Sequence, residues 1–293
     1  MEDASRGTGP GSSIAARLGD PLGLYEDIED LEDGSGTAWH VFRPSVHAAS
    51  VWGPQLQHGG PVAALLTRTM ERCQPRPGTR ITRITVDIFG AVPMSDVAVS
   101  ARVERPGRRV ELLSAQMRTM SASGPDRLVA RASAWRKATR PTPQLIHRAD
   151  PPLDLAAEPS ATDLWPESWR IGFAAALDVR DVRAIGRKGI PTVAWLRLIP
   201  DLVAGEPTAP LESLVAISDV ANGLGARLDP ARWTFLNTDL SIHLFDPPRG
   251  DWVGLQAETS VGGDGIAMSA AVVHSESGPV GRLAQSVLVE PRK

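Results

Sequence analysis

One spacing constrains this chain more than any other: a pattern in its first half returns 156 residues later. Trp39 falls on Trp195, Pro44 on Pro200, Ile84 on Leu240, Ile88 on Leu244 and Phe89 on Phe245. Further on the shift drifts to 154, where Ser123-Gly124-Pro125 meets Ser277-Gly278-Pro279, and then to 155, where Arg127-Leu128 meets Arg282-Leu283. Small drifts are what changes in loop length between strands produce. One register held on both sides of a helical stretch argues for duplication. The 293 residues are enough for two units of roughly 100 to 150 residues, each with its own core.

The order of elements repeats as well. In the first half an aromatic strand, Trp39 to Arg43, precedes a helix predicted from about Gly59 to Arg72, with Pro61 tolerated in its first turn and Pro75 marking its end. Alternating, β-branched segments follow at Ile84 to Ile88, Val97 to Val103, Val110 to Met117 and Leu128 to Trp135. In the second half a strand at Thr192 to Ile199 precedes a helix expected from Pro210 to Leu228, with strands at Leu240 to Phe245, Trp252 to Glu258, Ile266 to Val273 and Leu283 to Val289. One long helix and a run of antiparallel strands make an α+β unit, its sheet curled around the helix. The expected division is a flexible tail over 1–20, units over 21–137 and 167–293, and between them a linker over 138–166, rich in proline, which supplies no backbone donor.

Composition excludes several classes. A net charge of −3 offers no basic excess to grip nucleic acid, and no apolar run approaches the roughly 18 residues of a membrane span. A single cysteine, Cys73, rules out an intrachain disulfide and a cysteine-rich zinc site, and fits a reducing, cytoplasmic setting. No Gly-x-Ser-x-Gly elbow, phosphate loop or His-Glu-x-x-His occurs, and Gly263-Asp264-Gly265 reads as a turn between strands. No metal or cofactor is expected. The open sheet edges of such units leave assembly into a homo-oligomer as an expectation.

The segment Trp52-Gly53-Pro54-Gln55-Leu56-Gln57-His58-Gly59-Gly60 opens the first helix. A helix N-terminus presents unpaired N–H groups, and paired glycines let a ligand approach them, so Gly59 and Gly60 could polarise a carbonyl oxygen. The plainer reading is a tight turn into a packed helix. His58 beside them suits a base or a structural hydrogen bond. Asp219 falls at the edge of the second helix's apolar face, where a carboxylate is costly unless solvated or hydrogen-bonded. Asn237 precedes a strand, and Gln285 interrupts an apolar one, where alternation would let it face solvent. The repeat weighs these together, setting Ile81 opposite Asn237, Ala130 opposite Gln285 and about Ala63 opposite Asp219, while the two glycines fall opposite the Leu214 to Ala216 helix interior. Polar groups from one half and backbone donors from the other describe one composite site per chain.

At these residues the sequence resembles the acyl-CoA thioesterase II family, the double-hotdog thioesterases, over roughly residues 21 to 290. The likeness rests on the Trp52 to Gly60 segment, on Ser218-Asp219, on Asn237-Thr238-Asp239-Leu240-Ser241-Ile242-His243, on Pro247-Pro248-Arg249-Gly250-Asp251-Trp252, and on Gln285. It implies a tandem hotdog fold and an acyl-CoA substrate. It also implies a site made of an Asp on the second helix, a hydroxyl residue before the next strand and a Gln on the last strand, which together orient a water. Asp219 and Gln285 match by position. Asn237 stands where a Thr is expected, and Thr238, one place later, would point to the other face of its strand. The resemblance then implies hydrolysis without a cofactor: Asp219 as base, Asn237 and Gln285 on the water, and the Gly59 and Gly60 amides on the oxyanion. Two rival readings stand beside it, a non-catalytic acyl-CoA binder and a hotdog enoyl-CoA hydratase, although the Asp/His motifs of the latter are not found.

Overall fold

The computed structural model describes residues 23–155 and 164–292, so the tail expected over 1–20 and part of the linker lie outside the described residues. A hairpin of β1 (Gly23–Glu32) and β2 (Ala38–Pro44) comes first. The short pair β3 (Ala49–Ser50) and β4 (Gly53–Gln57) then leads into α1 (Gly59–Arg72). Four strands follow: β5 (Thr79–Ile88), β6 (Val97–Arg105), β7 (Val110–Ser121) and β8 (Gly124–Ala138). The second half runs α2 (Gly172–Ala175), β9 (Leu177–Arg183), β10 (Thr192–Leu198), β11 (Asp201–Val203), α3 (Pro210–Ser218) and α4 (Ala221–Gly225). It closes with β12 (Trp233–Asn237), β13 (Asp239–Leu244), β14 (Trp252–Val261), β15 (Ile266–Ser275) and β16 (Gly278–Pro291).

Among the described residues these strands, apart from the separate β3–β4 pair, form one large sheet, antiparallel throughout except where β1 meets β11. Read from the outside inward, the first half runs β1-β2-β6-β7-β8-β5 and the second β9-β10-β14-β15-β16-β13. The two orders are the same, and they meet where β5 pairs with β13. Thr85 lies opposite Ser241 in that pair, and the two are repeat counterparts, so the axis relating the halves passes between them. Each central strand is also broken at the same place. β5 carries a bulge at Thr82, and the ladder on β16 shifts at its counterpart Thr238, where the Asp239 carboxylate takes the Ser286 N–H at 2.8 Å.

The ladders correct one register read from sequence. Thr85 faces Ser133 and Ser241 faces Ala284, so the residue matching Gln285 is Ala134, not Ala130. The first-half hairpin contains extra bulged residues near its tip, which the sequence shift could not place. Short strands β3, β4, β11 and β12 were not expected, and two longer ones had no sequence signal. β1 is largely acidic and β9 mixes charge with valine, as suits strands near a sheet's edge.

α1 packs on β5 to β8 and against α3, so it is buried on every side from Gly60 to Met70. Its buried hydroxyls bond back one turn, Thr67 to the Ala63 carbonyl and Thr69 to the Leu65 carbonyl, both at 2.8 Å. At its end Arg136, buried against Glu111, donates to the Cys73 and Gln74 carbonyls at 2.9 and 2.8 Å. The second helix is not continuous to Leu228. After Ser218 the Val220 N–H turns to the Ile217 carbonyl, a tighter three-residue bond, and α4 stops at Gly225. Asn222, Gly223 and Gly225 are weak helix formers, and a Cβ on Gly225 would sit 2.9 Å from the Glu258 carbonyl carbon. The break leaves Asp219 at the point where the chain changes direction. No helix among the described residues is long and apolar enough to cross a membrane.

Candidate active site

Asp219 is 4% exposed, inside the protein rather than at a helix edge. A carboxylate this deep needs hydrogen-bond donors, and two side chains bring them. Asn237 Nδ2 donates to Asp219 Oδ1 at 2.8 Å. Gln285 Nε2 donates to the same oxygen and to the Asp219 main-chain carbonyl, both at 3.2 Å. Gln285 is 1% exposed, so the solvent-facing reading of that strand position is set aside, and its Oε1 is buried without a partner. The three residues come from the break after α3, the end of β12 and the middle of β16. β12 pairs with β16, which puts Asn237 and Gln285 on neighbouring strands.

The first half supplies the opposite wall. A Cβ added to Gly59 would stand 2.7 Å from Asp219 Oδ2, and one on Gly60 would stand 2.4 Å from the Ala216 carbonyl oxygen. Both glycines are therefore needed for the α1 N-terminus to reach the end of α3. His58 is the residue before the helix; its Nδ1 accepts from the Gly60 N–H at 3.1 Å and also lies 3.1 Å from Asp219 Oδ2. One ring nitrogen cannot serve both at once. Unprotonated it accepts from Gly60; protonated it donates to Asp219 and releases that amide. The ring rests on Phe173 at 4.9 Å. Gln57, just before it, is held by the only tyrosine in the sequence: Tyr25 donates to Gln57 Oε1 at 2.7 Å, and burial pushes that phenol's pKa upward.

All six residues singled out in the sequence, His58, Gly59, Gly60, Asp219, Asn237 and Gln285, are thus brought together. Thr238 is exposed at the bulge, one place past Asn237. Two cavities meet at this cluster. The larger, about 300 Å³, is lined by Leu56, Val62, Ile88, Val92, Leu236 and Leu288 around Asp219 and Gly59. The smaller, about 40 Å³, has Trp52, Trp165, Trp169 and Phe235 in its wall. The aliphatic lining matches what a greasy substituent requires; the aromatic lining was not foreseen. Trp52 meets Trp169 and Phe235 edge-on, with ring centres 5.1 and 5.0 Å apart. The one available signal was Trp165 and Trp169, four residues apart at the end of the proline-rich stretch, in a chain only 5% aromatic. Among the described residues no cluster of three or more His, Cys, Asp or Glu could hold a metal ion.

A sheet of this kind with a central helix in each half, and a buried carboxylate where the halves meet, is of the hotdog class, and comparisons with known proteins agree. Residues 48–137 match the acyl-CoA thioesterase N-terminal domain and residues 152–289 the acyl-CoA thioesterase C-terminal domain. The chain belongs to the acyl-CoA thioesterase family: it is a thioester hydrolase acting on acyl-CoA. Solved structures agree on the fold. A hotdog-fold protein of unknown function from Alicyclobacillus acidocaldarius is 16% identical, with a TM-score of 0.66 over 90% of this chain and 97% of the other. The tesB protein of Mycobacterium avium subs paratuberculosis is 14% identical, with a TM-score of 0.63 over 90% and 96%. An acyl-CoA thioesterase II, TesB2, from Mycobacterium marinum is 12% identical, with a TM-score of 0.60 over the same shares. A search of curated protein sequences gave no match.

Proposed function

We propose that the chain is two hotdog units in tandem, over 21–137 and 167–293, and that it hydrolyses acyl-CoA thioesters with Asp219 as general base. Asp219 takes a proton from a water as that water attacks the thioester carbonyl carbon. The oxygen becomes an oxyanion facing the first turn of α1, where the Gly59 amide, and the Gly60 amide once His58 Nδ1 releases it, can donate to it. The tetrahedral intermediate collapses, the carbon–sulfur bond breaks, and the proton held by Asp219 passes to the departing coenzyme A thiolate. Free acid and thiol result, with no covalent enzyme intermediate.

The observation that carries this reading is the hydrogen bonding around Asp219. Asn237 and Gln285 both donate to Oδ1, so their amides position the base, and Gln285 Oε1 remains to accept from the water. An Asn in place of a hydroxyl residue can fill that positioning role, since its Nδ2 already reaches the carboxylate at 2.8 Å. His58 adds a conditional element. When its Nδ1 carries a proton, the Gly60 amide becomes available to the substrate oxygen.

Steady-state release of thiol from acyl-CoA tests the proposal. Asp219→Ala should lower kcat by roughly a hundredfold or more, the scale of general-base loss, with KM little changed. Asn237→Thr should keep or raise activity. A folded Asp219→Ala protein with full turnover would overturn the mechanism. A parent with no thiol release, regained by Asn237→Thr, would make this chain a binder of acyl-CoA.

A further inference from the structure

We propose that Arg127, at the rim of the larger cavity, anchors the phosphates of the coenzyme. This rests on the thioesterase reading above, because it takes the thioester carbon to lie beside Asp219, which lines that cavity.

Coenzyme A ends in a nucleotide that carries a diphosphate and a further phosphate, too large and too charged to bury. It must stay at the surface, beside an opening that leads to Asp219. Both cavities border Asp219, but no residue lining the smaller one is exposed. The rim of the larger includes exposed Ala91, Leu236, Thr238 and Leu288, so the nucleotide lies outside that opening. Gly90 and Ala91 form part of its first-half side. There the exposed Arg127 donates from Nη2 to the Ala91 carbonyl at 3.4 Å, and its Nη1 stands 3.9 Å from where a Cβ on Gly90 would be. One long bond to a neutral oxygen leaves most of the five guanidinium donors unused. No carboxylate among the described residues forms an ion pair with Arg127.

The second half holds the same place in a different state. Phe89 donates its N–H to the Val129 carbonyl and Phe245 its N–H to the Val280 carbonyl, both at 3.0 Å, so the two strand ends correspond. Counting on from these bonds, Asp246 stands where Gly90 does, and Gly278 where Arg127 does. A guanidinium lies here too. Arg148, from the stretch between the halves, comes within 3.9 Å of where a Cβ on Gly278 would be, and meets the Asp246 carboxylate at 3.1 Å. Arg148, Asp246 and Gly278 border neither cavity at Asp219. The charge is therefore satisfied internally where no path leads to the reactive carboxylate, and left open at the mouth that does lead there. A glycine in place of the carboxylate makes the difference. A phosphate supplies what Gly90 withholds, accepting parallel charge-assisted bonds from the planar fork.

The test compares butyryl-CoA with butyryl-N-acetylcysteamine, which carries the same thioester but ends before the phosphates, by thiol release from the full-length protein. Arg127→Gln should lower the ratio of the two kcat/KM values by roughly tenfold, the scale of one charge-assisted bond, with the loss in KM for butyryl-CoA rather than in kcat. Arg127→Lys should restore part of the ratio. Arg282→Gln, at an arginine whose two bonds go to Asp150, should leave it where it is. Added salt should erode the preference of the parent more than that of Arg127→Gln. The thioester of 3′-dephospho-coenzyme A tells the phosphates apart: a loss matching Arg127→Gln assigns the anchor to the 3′-phosphate, and full retention assigns it to the diphosphate. An Arg127→Gln ratio equal to the parent's would overturn the proposal. Binding of coenzyme A itself separates this inference from the reading beneath it. Weaker binding in Arg127→Gln upholds the anchor even if no thioester is cleaved. Equal binding, with thiol release intact, sinks the anchor and leaves the thioesterase.

Discussion

Gly59 and Gly60 look alike in sequence, but a methyl group added to each would meet different obstacles. At Gly59 it would stand 2.7 Å from the Asp219 carboxylate, a side-chain group that can swing away; at Gly60 it would stand 2.4 Å from the Ala216 main-chain oxygen, which cannot. Gly59→Ala should therefore cost turnover, tenfold or more, with little loss of stability. Gly60→Ala should cost stability, roughly 1–3 kcal/mol of overpacking, less the modest gain Ala brings to a helix. Thermal unfolding and thiol release on the two variants would show whether the effects divide this way; a fully active Gly59→Ala protein would contradict the first expectation. At this scale the sequence could be read only by comparison. Asp219, Asn237 and Gln285 each had an ordinary explanation alone, and what marked them was the apolar residue at the matching place in the other half.

The two central helices carry their chemistry at one end and a charge problem at the other. Burial pushes the Glu71 carboxyl up to about 7, and nearby Glu212, at the start of α3, adds to the rise. Glu212 is occupied as well, accepting from the Ala209 N–H at 3.0 Å. The folded protein thus keeps a proton on Glu71 that the unfolded chain would release near the ordinary carboxylate pKa. The stability this contributes is full below that value and is lost as pH climbs through about 7. Glu71→Gln should abolish the loss, so the variant gains on the parent between pH 5 and 8 by on the order of 1–3 kcal/mol. Urea unfolding at those two pH values measures it; an unchanged difference would refute it. His274 acts with the opposite sign. Burial holds it down to about 4, so its contribution is present above the ordinary histidine value near 6.5 and disappears as pH falls through 4. Element by element, α1 and most strands were legible because periodicity and caps agree there. The second helix was not: its apolar face continues through Ala221 and Leu224, while Asp219 at the turn meets His58 of the other half.

Of the contacts between the two halves, one makes the sheet continuous. It is the joint of β5 with β13, with Ile84 facing Ile242 and Val86 facing Leu240, all four buried. Ser241 lies at the axis with ladders on both sides, so Ser241→Pro should remove a bond from the middle of the sheet and cost about 3 kcal/mol or more. Calorimetry of the parent should show a single transition rather than one for each half; two resolved transitions would mean that the joint does not couple them. The axis was readable from the sequence shift, and the register along β8 and β16 was not, because bulges add residues that only the ladder reveals. The unlike occupants of matching places have a consequence for how such a chain can change over time. In a pair of identical subunits any substitution arrives twice, so a polar residue that one cavity wants is imposed on the other, where it must be buried to no purpose. Here Ile81 and Ala134 pack in the core while Asn237 and Gln285, their counterparts, hold a carboxylate. Fusion lets one half drift toward reactivity while the other stays anchored, and inheritance no longer has to compromise between them.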